Sequence, residues 1–250
     1  IVWLGLEGAL IALVTNQSVV LLIVLWMLRK HPIIKVENFK EKFDTPEAKK
    51  LVGFAVMAIT SALTAPVSHF IIRSYIGETL SWEDAGYWQA IWYISTMYLM
   101  VVTTALSIYY LPKLAEITNK SELRKELWQG YKIIIPIVII MSVSVFLLKD
   151  FIIGFLFTEE FSPMRELFLW QLVGDVIKVA AFLISNLMIA KALTKIYVLT
   201  EILFTSLFVI LSILLIHEYG LIGVTYAFAI NYLTYMIVIY VLLKKKMNIF

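Results

Sequence analysis

The sequence predicts an all-α, polytopic membrane bundle, and three observations predict it. Of its 250 residues 61% are hydrophobic and 16% charged, with a mean hydropathy of +0.89, far from the balance of a soluble domain. Apolar runs recur at the length of about 20 residues that crosses a hydrocarbon core of roughly 30 Å. None of these runs alternates apolar and polar with the period of two that a barrel strand requires, so the spans are helices.

In chain order the spans are Gly5 to Leu28, Leu51 to Ile76, Ala85 to Leu111, Tyr131 to Leu148, Leu167 to Ala190, Tyr197 to Ile216 and Leu221 to Leu243, seven predicted transmembrane helices. Their connectors alternate in charge. Arg29, Lys30, Lys35, Lys40, Lys42, Lys49 and Lys50 follow the first span, whereas Gly77 to Asp84 after the second holds no Lys or Arg. Lys113, Lys120, Arg124, Lys125 and Lys132 follow the third, Lys149 and Arg165 the fourth, and Lys191 and Lys195 the fifth. The sixth is followed by none and the tail carries Lys244, Lys245 and Lys246. By the positive-inside rule the strongly basic connectors and the C-terminus are cytoplasmic.

The chain opens on Ile1, already in apolar sequence, with no basic n-region or small-residue cleavage site. An odd number of spans starting on the outer side predicts the C-terminal part of a longer protein. The expected division is a last transmembrane helix of an N-terminal lobe (1–30), a cytoplasmic inter-lobe linker (31–50) and a six-helix C-terminal lobe (51–250). The linker is the longest polar connector and contains Pro32 and Pro46. Within it VENFKEKF places Val36, Phe39 and Phe43 at helical spacing opposite Lys35, Glu37, Lys40 and Glu41, a pattern suited to lying on an anionic leaflet. DTPEAKK reads as a helix start, with Thr45 as N-cap and Pro46 at the first helical position. SELRKELWQG reads as a second charged segment, opened by Ser121 and stopped at Gly130. A solvated face without a partner is the alternative for both charge runs.

Charged residues inside spans carry the functional signal. In WQLVGDVIKVAAF, Asp175 and Lys178 share one face of the fifth span. Each costs about 2.5 to 3.5 kcal/mol at a helix centre on insertion scales, and Asp175 lies about 12 Å below the outer end at 1.5 Å per residue. One reading is a cavity face where the lysine holds an anionic group and the aspartate orients it or takes a proton. The other is an internal pair that joins helices.

The second span matches this feature with a small, polar stripe. Thr60, Thr64 and Ser68 recur every four residues, beside Ser61, Ala65, His69 and Arg73. Such stripes pack on helices or line water. Pro66 removes a backbone hydrogen bond there and predicts a kink, hence a bending element or, as in many membrane helices, a static proline. His69 lies at a depth comparable with Asp175, so a proton site of His69, Arg73 and Asp175 follows if these helices are neighbours. Arg73 as a snorkelling anchor is the plainer reading. Trp82, Trp88 and Trp92 on one side and Tyr109 and Tyr110 on the other suit interfacial belts.

No cysteine occurs, so there is no disulfide framework and no Cys-based metal site. His31, His69 and His217 are scattered, and no Walker A, HExxH or GxSxG pattern is present. No cofactor, metal centre, enzymatic activity or nucleic-acid partner is therefore expected.

Three stretches resemble a known family: SWEDAGYWQA, YYLPKLAEITNK and FLWQLVGDVIKVAAFLISNLMIAKA. They carry a Ser-Trp-acidic-acidic turn (Ser81 to Asp84), a Leu-Pro at a helix end (Leu111, Pro112) and Trp-Gln-Leu-Val-Gly-Asp with a lysine three later. With them the chain, from about Leu4 to its tail, resembles the C-terminal half of the Wzx-type lipid-linked oligosaccharide flippases, the enterobacterial common antigen branch above all. These belong to the multidrug/oligosaccharidyl-lipid/polysaccharide exporter superfamily. The resemblance implies two six-helix lobes around a central cavity, alternating access, and residence in the bacterial inner membrane. It implies a substrate, a polyprenyl pyrophosphate bearing a short glycan of the O-antigen or common-antigen kind, with glycan polymerase and chain-length regulator proteins as partners. It also implies that Arg73, Asp175 and Lys178 stand at a basic, an Asp and a Lys position of the family pattern.

Two other functions compete. An ion-coupled multidrug exporter of the same superfamily would favour carboxylates in its cavity, whereas Arg73 and Lys178 outnumber Asp175 here. A membrane glycan polymerase or glycosyltransferase would need clustered acids and bases at a membrane face, and Asp150, Glu159, Glu160 and Arg165 in the outer connector are the group on offer.

Overall fold

The computed structural model describes residues 5–29 and 45–247, and the regular elements among them are all helical. Helix α1 spans Gly5–Leu28, α2 Thr45–Thr79, α3 Trp82–Ala105, α4 Leu111–Glu116 and α5 Lys120–Leu147. Then come α6, Lys149–Leu156, α7, Phe168–Ala190, α8, Thr194–Tyr219, and α9, Ile222–Met247. Six stretches among the described residues are long and apolar enough to cross a membrane: Ala48–Thr79, Trp82–Glu116, Lys120–Leu147, Glu159–Ala190, Thr194–Tyr219 and Ile222–Met247. The first predicted span is present as α1, whose described apolar stretch, Val14–Leu28, is shorter than these. The fold is thus the predicted all-α, polytopic membrane architecture.

The chain divides into two units, residues 1–48 and 49–250. Most of the predicted linker, including the amphipathic segment Val36 to Phe43, lies outside the described residues. Within the second unit α7 is the hub, packing along α9 and against α5, while α8 packs along α9.

Local chemistry explains the helix ends. Ser81 caps α3, its Oγ accepting from the Asp84 amide at 3.0 Å and donating to Asp84 Oδ2 at 2.7 Å. Asn119, and not the expected Ser121, caps α5, its Oδ1 accepting from the Ser121 amide at 2.9 Å. Gly130 does not stop that helix, which runs on to Leu147. The glycine instead makes room for a neighbour, since a Cβ there would lie 2.9 Å from Tyr110 Oη. Between α3 and α4 the backbone widens into a π turn, Leu106–Tyr110, directly before Pro112. A proline has no amide for the i−4 carbonyl and its ring crowds that turn, which a π turn relieves. By contrast α2 passes Pro66 as one continuous helix.

The expected outer loop after α5 is a structured cap. It comprises α6 and a 3-10 segment, Glu159–Leu167, stapled by Arg165 Nε to Asp150 Oδ1 at 2.7 Å. Both partners are more than half exposed, so the pair adds little stability.

Two apolar clusters fill the second unit. One joins Ile72, Ile76, Trp88, Ile91, Phe168, Leu172 and Phe228, and the other Leu99, Leu106, Leu123, Leu183, Leu187 and Leu243. On α3, α7 and α9 they occupy opposite ends of each helix, and the polar residues Ser95, Asp175 and Asn231 fall between them. Two of the aromatics assigned to interfacial belts belong to these clusters: Trp88 is 2% exposed and Tyr110 7%. Trp82 and Tyr109 remain exposed.

The α7–α9 contact depends on Gly174, where a Cβ would lie 2.3 Å from Phe228 Cδ1 and 3.4 Å from the Ala229 backbone. Gly174→Val should therefore force the two helices apart at an overpacking cost of about 1 to 3 kcal/mol. A melting temperature of the detergent-solubilised full-length variant several degrees below wild type is the expected result; an unchanged one would refute the close contact.

Candidate functional site

Lys178 points from α7 into a cavity of about 170 Å³ bounded by residues of α2, α3, α7, α8 and α9. Its polar lining is Lys178, Glu201, His69, Ser68, Thr205 and Asn231, and its apolar wall includes Ala65, Phe204 and Phe208. Aromatic side chains, Trp92, Phe228, Tyr232 and Tyr235, complete the surround. The space has room for several water molecules and enough polar partners to hold them.

Each wall follows from its helix. On α2 the small stripe reaches the cavity through Ala65, Ser68 and His69, and one turn earlier Ser61 meets Tyr197 Oη of α8 at 2.7 Å. His69 is clasped by rings of α3, stacked on Trp88 at 5.1 Å and edge-on to Trp92 at 4.4 Å. On α8 the carboxylate of Glu201 is faced by the Ser61 and Thr64 hydroxyls. On α9 the Oδ1 of Asn231, a residue 5% exposed, has no hydrogen-bond partner.

The ammonium of Lys178 has no carboxylate within 4.0 Å among the described residues. It lies 5.8 Å from the ring centres of both Phe228 and Tyr232. Aromatic faces attract a cation without saturating its donors. A lysine so placed keeps N–H groups for an anionic group brought into the cavity, where the low dielectric strengthens such charge-assisted bonds.

Asp175 does not share this cavity. It is fully buried on another side of α7, its Oδ2 accepting from Tyr98 Oη at 2.9 Å and its Oδ1 within 3.5 Å of Gln171 Nε2. Tyr98 Oη also meets Ser142 Oγ at 3.1 Å, so one hydroxyl joins α3, α5 and α7. The expected neutralisation between Asp175 and Lys178 is therefore a coupling through space and not a contact pair, because Tyr98 and Gln171 engage the carboxylate while the lysine stem follows the rings of α9.

The expected grouping of His69, Arg73 and Asp175 does not form. His69 faces Lys178 across the cavity, Arg73 is exposed and outside the lining, and Asp175 is turned toward Tyr98. Pro66 sits on α2 between the lining residues Ala65 and Ser68. Sequence reasoning missed Glu201, Asn231, Tyr98 and Tyr232. Glu201 had the same signal as Asp175, a lone carboxylate within an apolar span, and the cost argument applied to Asp175 finds it. Asn231 and the tyrosines carry no charge, and only the packing of α9 against α7 and α8 distinguishes them from other polar residues in spans.

Comparison with known proteins completes the picture. Residues 2–166 match the family described as polysaccharide biosynthesis protein. Two curated relatives, the proteins named lipid III flippase in Escherichia coli K12 and Shigella flexneri, are each 36% identical over 231 residues. That match takes in 92% of this chain and 56% of each relative, so the chain spans about half the length of the curated relatives it matches. Among solved structures, the MATE transporter VcmN of Vibrio cholerae in its bent form shares the fold at a TM-score of 0.64. Its identity to this chain is 15%, and the match covers 80% of this chain and 47% of that one.

The node at Asp175 makes a prediction of its own. Tyr98→Phe deletes one hydroxyl, leaves a buried carboxylate short of a donor, and should lower stability by about 1 to 3 kcal/mol, with Ser142→Ala milder. Thermal unfolding of both variants in the same detergent checks this, and equal melting temperatures for wild type and Tyr98→Phe would contradict it.

Proposed function

Since the chain belongs to the polysaccharide biosynthesis protein family, we propose that it forms one lobe of a flippase for a lipid-linked oligosaccharide. The cargo in this reading is a polyprenyl pyrophosphate bearing a short glycan for surface polysaccharide. It is turned from the cytoplasmic to the periplasmic leaflet of the bacterial inner membrane, where proteins of glycan polymerisation receive it. What supports the reading beyond the family is one observation: an unpaired lysine, Lys178, in a cavity within a membrane-spanning bundle. The diphosphate is the most costly group to carry through lipid, and a lysine ammonium in a water-poor cavity lowers that cost by charge-assisted hydrogen bonds.

In this mechanism Lys178 is the anion contact inside the cavity. Arg73, exposed one turn beyond His69 on α2, is a second contact on the approach to it. Asp175 holds α3, α5 and α7 in register around the lysine and sets the field in which it works. The α2 segment about Pro66 forms the wall that moves between the two access states, with the basic connectors and the C-terminus cytoplasmic.

The choice against a multidrug exporter rests on the family and not on a charge count. The cavity lining holds one lysine and one glutamate, whereas the expected excess of cations relied on Arg73, which lies outside it. The choice against a polymerase likewise rests on the family; of the acid–base group named for it, Asp150 pairs with Arg165 at the surface.

Full-length protein in a strain lacking its own flippase provides the test. Lys178→Ala, present in the membrane at wild-type level, should cut export of surface glycan by about tenfold or more and leave lipid-linked precursor trapped inside, with a smaller loss for Arg73→Ala. Wild-type export by both variants would remove the two cations from the path.

A further inference from the structure

Glu201 has no part in the reading so far, yet it shares the cavity with Lys178. The two side chains enter from different helices, α7 and α8, and no contact ion pair joins them. Tyr232 lies within the electrostatic reach of both. The lysine nitrogen rests over the Phe228 and Tyr232 rings, on a four-carbon stem able to swing. The carboxylate is faced by hydroxyls of α2, Ser61 and Thr64, which are themselves engaged by Tyr197 Oη at 2.7 Å and by the Thr60 carbonyl at 2.9 Å. A cation and an anion thus line one low-dielectric space without touching, the cation on the longer and more flexible stem.

We propose that Glu201 is the internal counter-charge that competes with the anionic cargo for Lys178. With cargo present the ammonium serves the cargo's phosphate oxygens; as the cargo leaves, the stem swings past Tyr232 and the ammonium pairs with Glu201. The exchange spares the cavity an uncompensated buried charge in the empty state. It also limits how tightly the cavity holds its cargo, which a carrier must release at the opposite face. The open Asn231 Oδ1 lies on the same wall as Tyr232 and gives the ammonium, or a water travelling with it, an acceptor during the swing. Glu201 is in this sense a positioning residue, acting on cargo through Lys178, and the proposal rests on the flippase reading above.

The test uses purified full-length protein and inorganic pyrophosphate as the probe, titrated calorimetrically against wild type, Glu201→Gln, Glu201→Asp, Lys178→Met and the double variant. Glu201→Gln keeps hydrogen-bonding groups for Ser61 and Thr64 while deleting the charge. It should bind pyrophosphate about tenfold more tightly than wild type, the order of effect that close charge pairs exert. In cells it should slow export while precursor co-purifies with the protein. Glu201→Asp should return affinity toward wild type, and in the Lys178→Met background Glu201→Gln should change nothing, because its effect is read through the lysine.

Unchanged or weaker binding by Glu201→Gln overturns the proposal, as does an effect that persists without Lys178. In either case Lys178→Met still weakens binding and the flippase reading stands. If pyrophosphate binds no variant and Lys178→Ala exports normally, that reading falls and the counter-charge falls with it.

Discussion

Tyr98 on α3 donates to Asp175 on α7 and meets Ser142 on α5, and this three-helix contact fixes how the second unit is assembled. A carboxylate without exposure in the middle of a spanning helix is tolerated only where donors surround it. Tyr98 and Gln171 supply them, so α3 and α5 must approach α7 on that side. The opposite requirement acts through Gly174, which lets Phe228 of α9 come up against α7. With both sides of α7 engaged, the remaining direction for the long Lys178 stem is the cavity, past the rings of Phe228 and Tyr232.

The two charges of WQLVGDVIKVAAF therefore do different work although they stand three residues apart. One is buried among neutral donors and joins helices, and the other is half-buried in a polar cavity and free of a contact partner. Apolar clusters on either side keep this polar layer near the middle of the bundle, where the dielectric is low and charge interactions are strong. A cavity at that depth suits a carrier that has to serve both faces of a membrane. Glu201 lines the same cavity, so the space holds one carboxylate beside its one lysine.

The fold was legible because bilayer thickness sets helix length and the hydrocarbon excludes other backbone forms. The spans from α2 to α9 were readable from apolar runs, except the start of α5, which begins at Lys120 in the charged segment well before the expected Tyr131. What the sequence hid were local exchanges of roles. Gly130 reads as a stop but serves as a gap for Tyr110, and Trp88 and Tyr110 read as belt residues but lie in the core. The connector after α5 reads as a loop but folds as α6 and a 3-10 segment, since its Pro163 and short apolar stretch suit either. In the site, Lys178, His69 and the α2 stripe were readable from charge and spacing. Which of Asp175 and Lys178 faced the cavity was not, because a spacing of three puts both on one helical face and only the neighbours decide. Arg73 and Glu201 show the same limit from opposite sides. A charge in an apolar span announces that it matters, and its partners come from other helices.

The central claim is the division of labour on α7, and a transport assay in liposomes tests it most directly. Full-length wild type, Asp175→Asn and Lys178→Gln, reconstituted with a lipid-linked oligosaccharide, would be compared for melting temperature and for the rate at which the glycan becomes accessible to a lectin on the far side. The account predicts that Lys178→Gln melts as wild type and loses translocation, while Asp175→Asn melts lower and, per folded molecule, still translocates. A Lys178→Gln protein that translocates normally, or an Asp175→Asn protein that melts normally and is inactive, would contradict it.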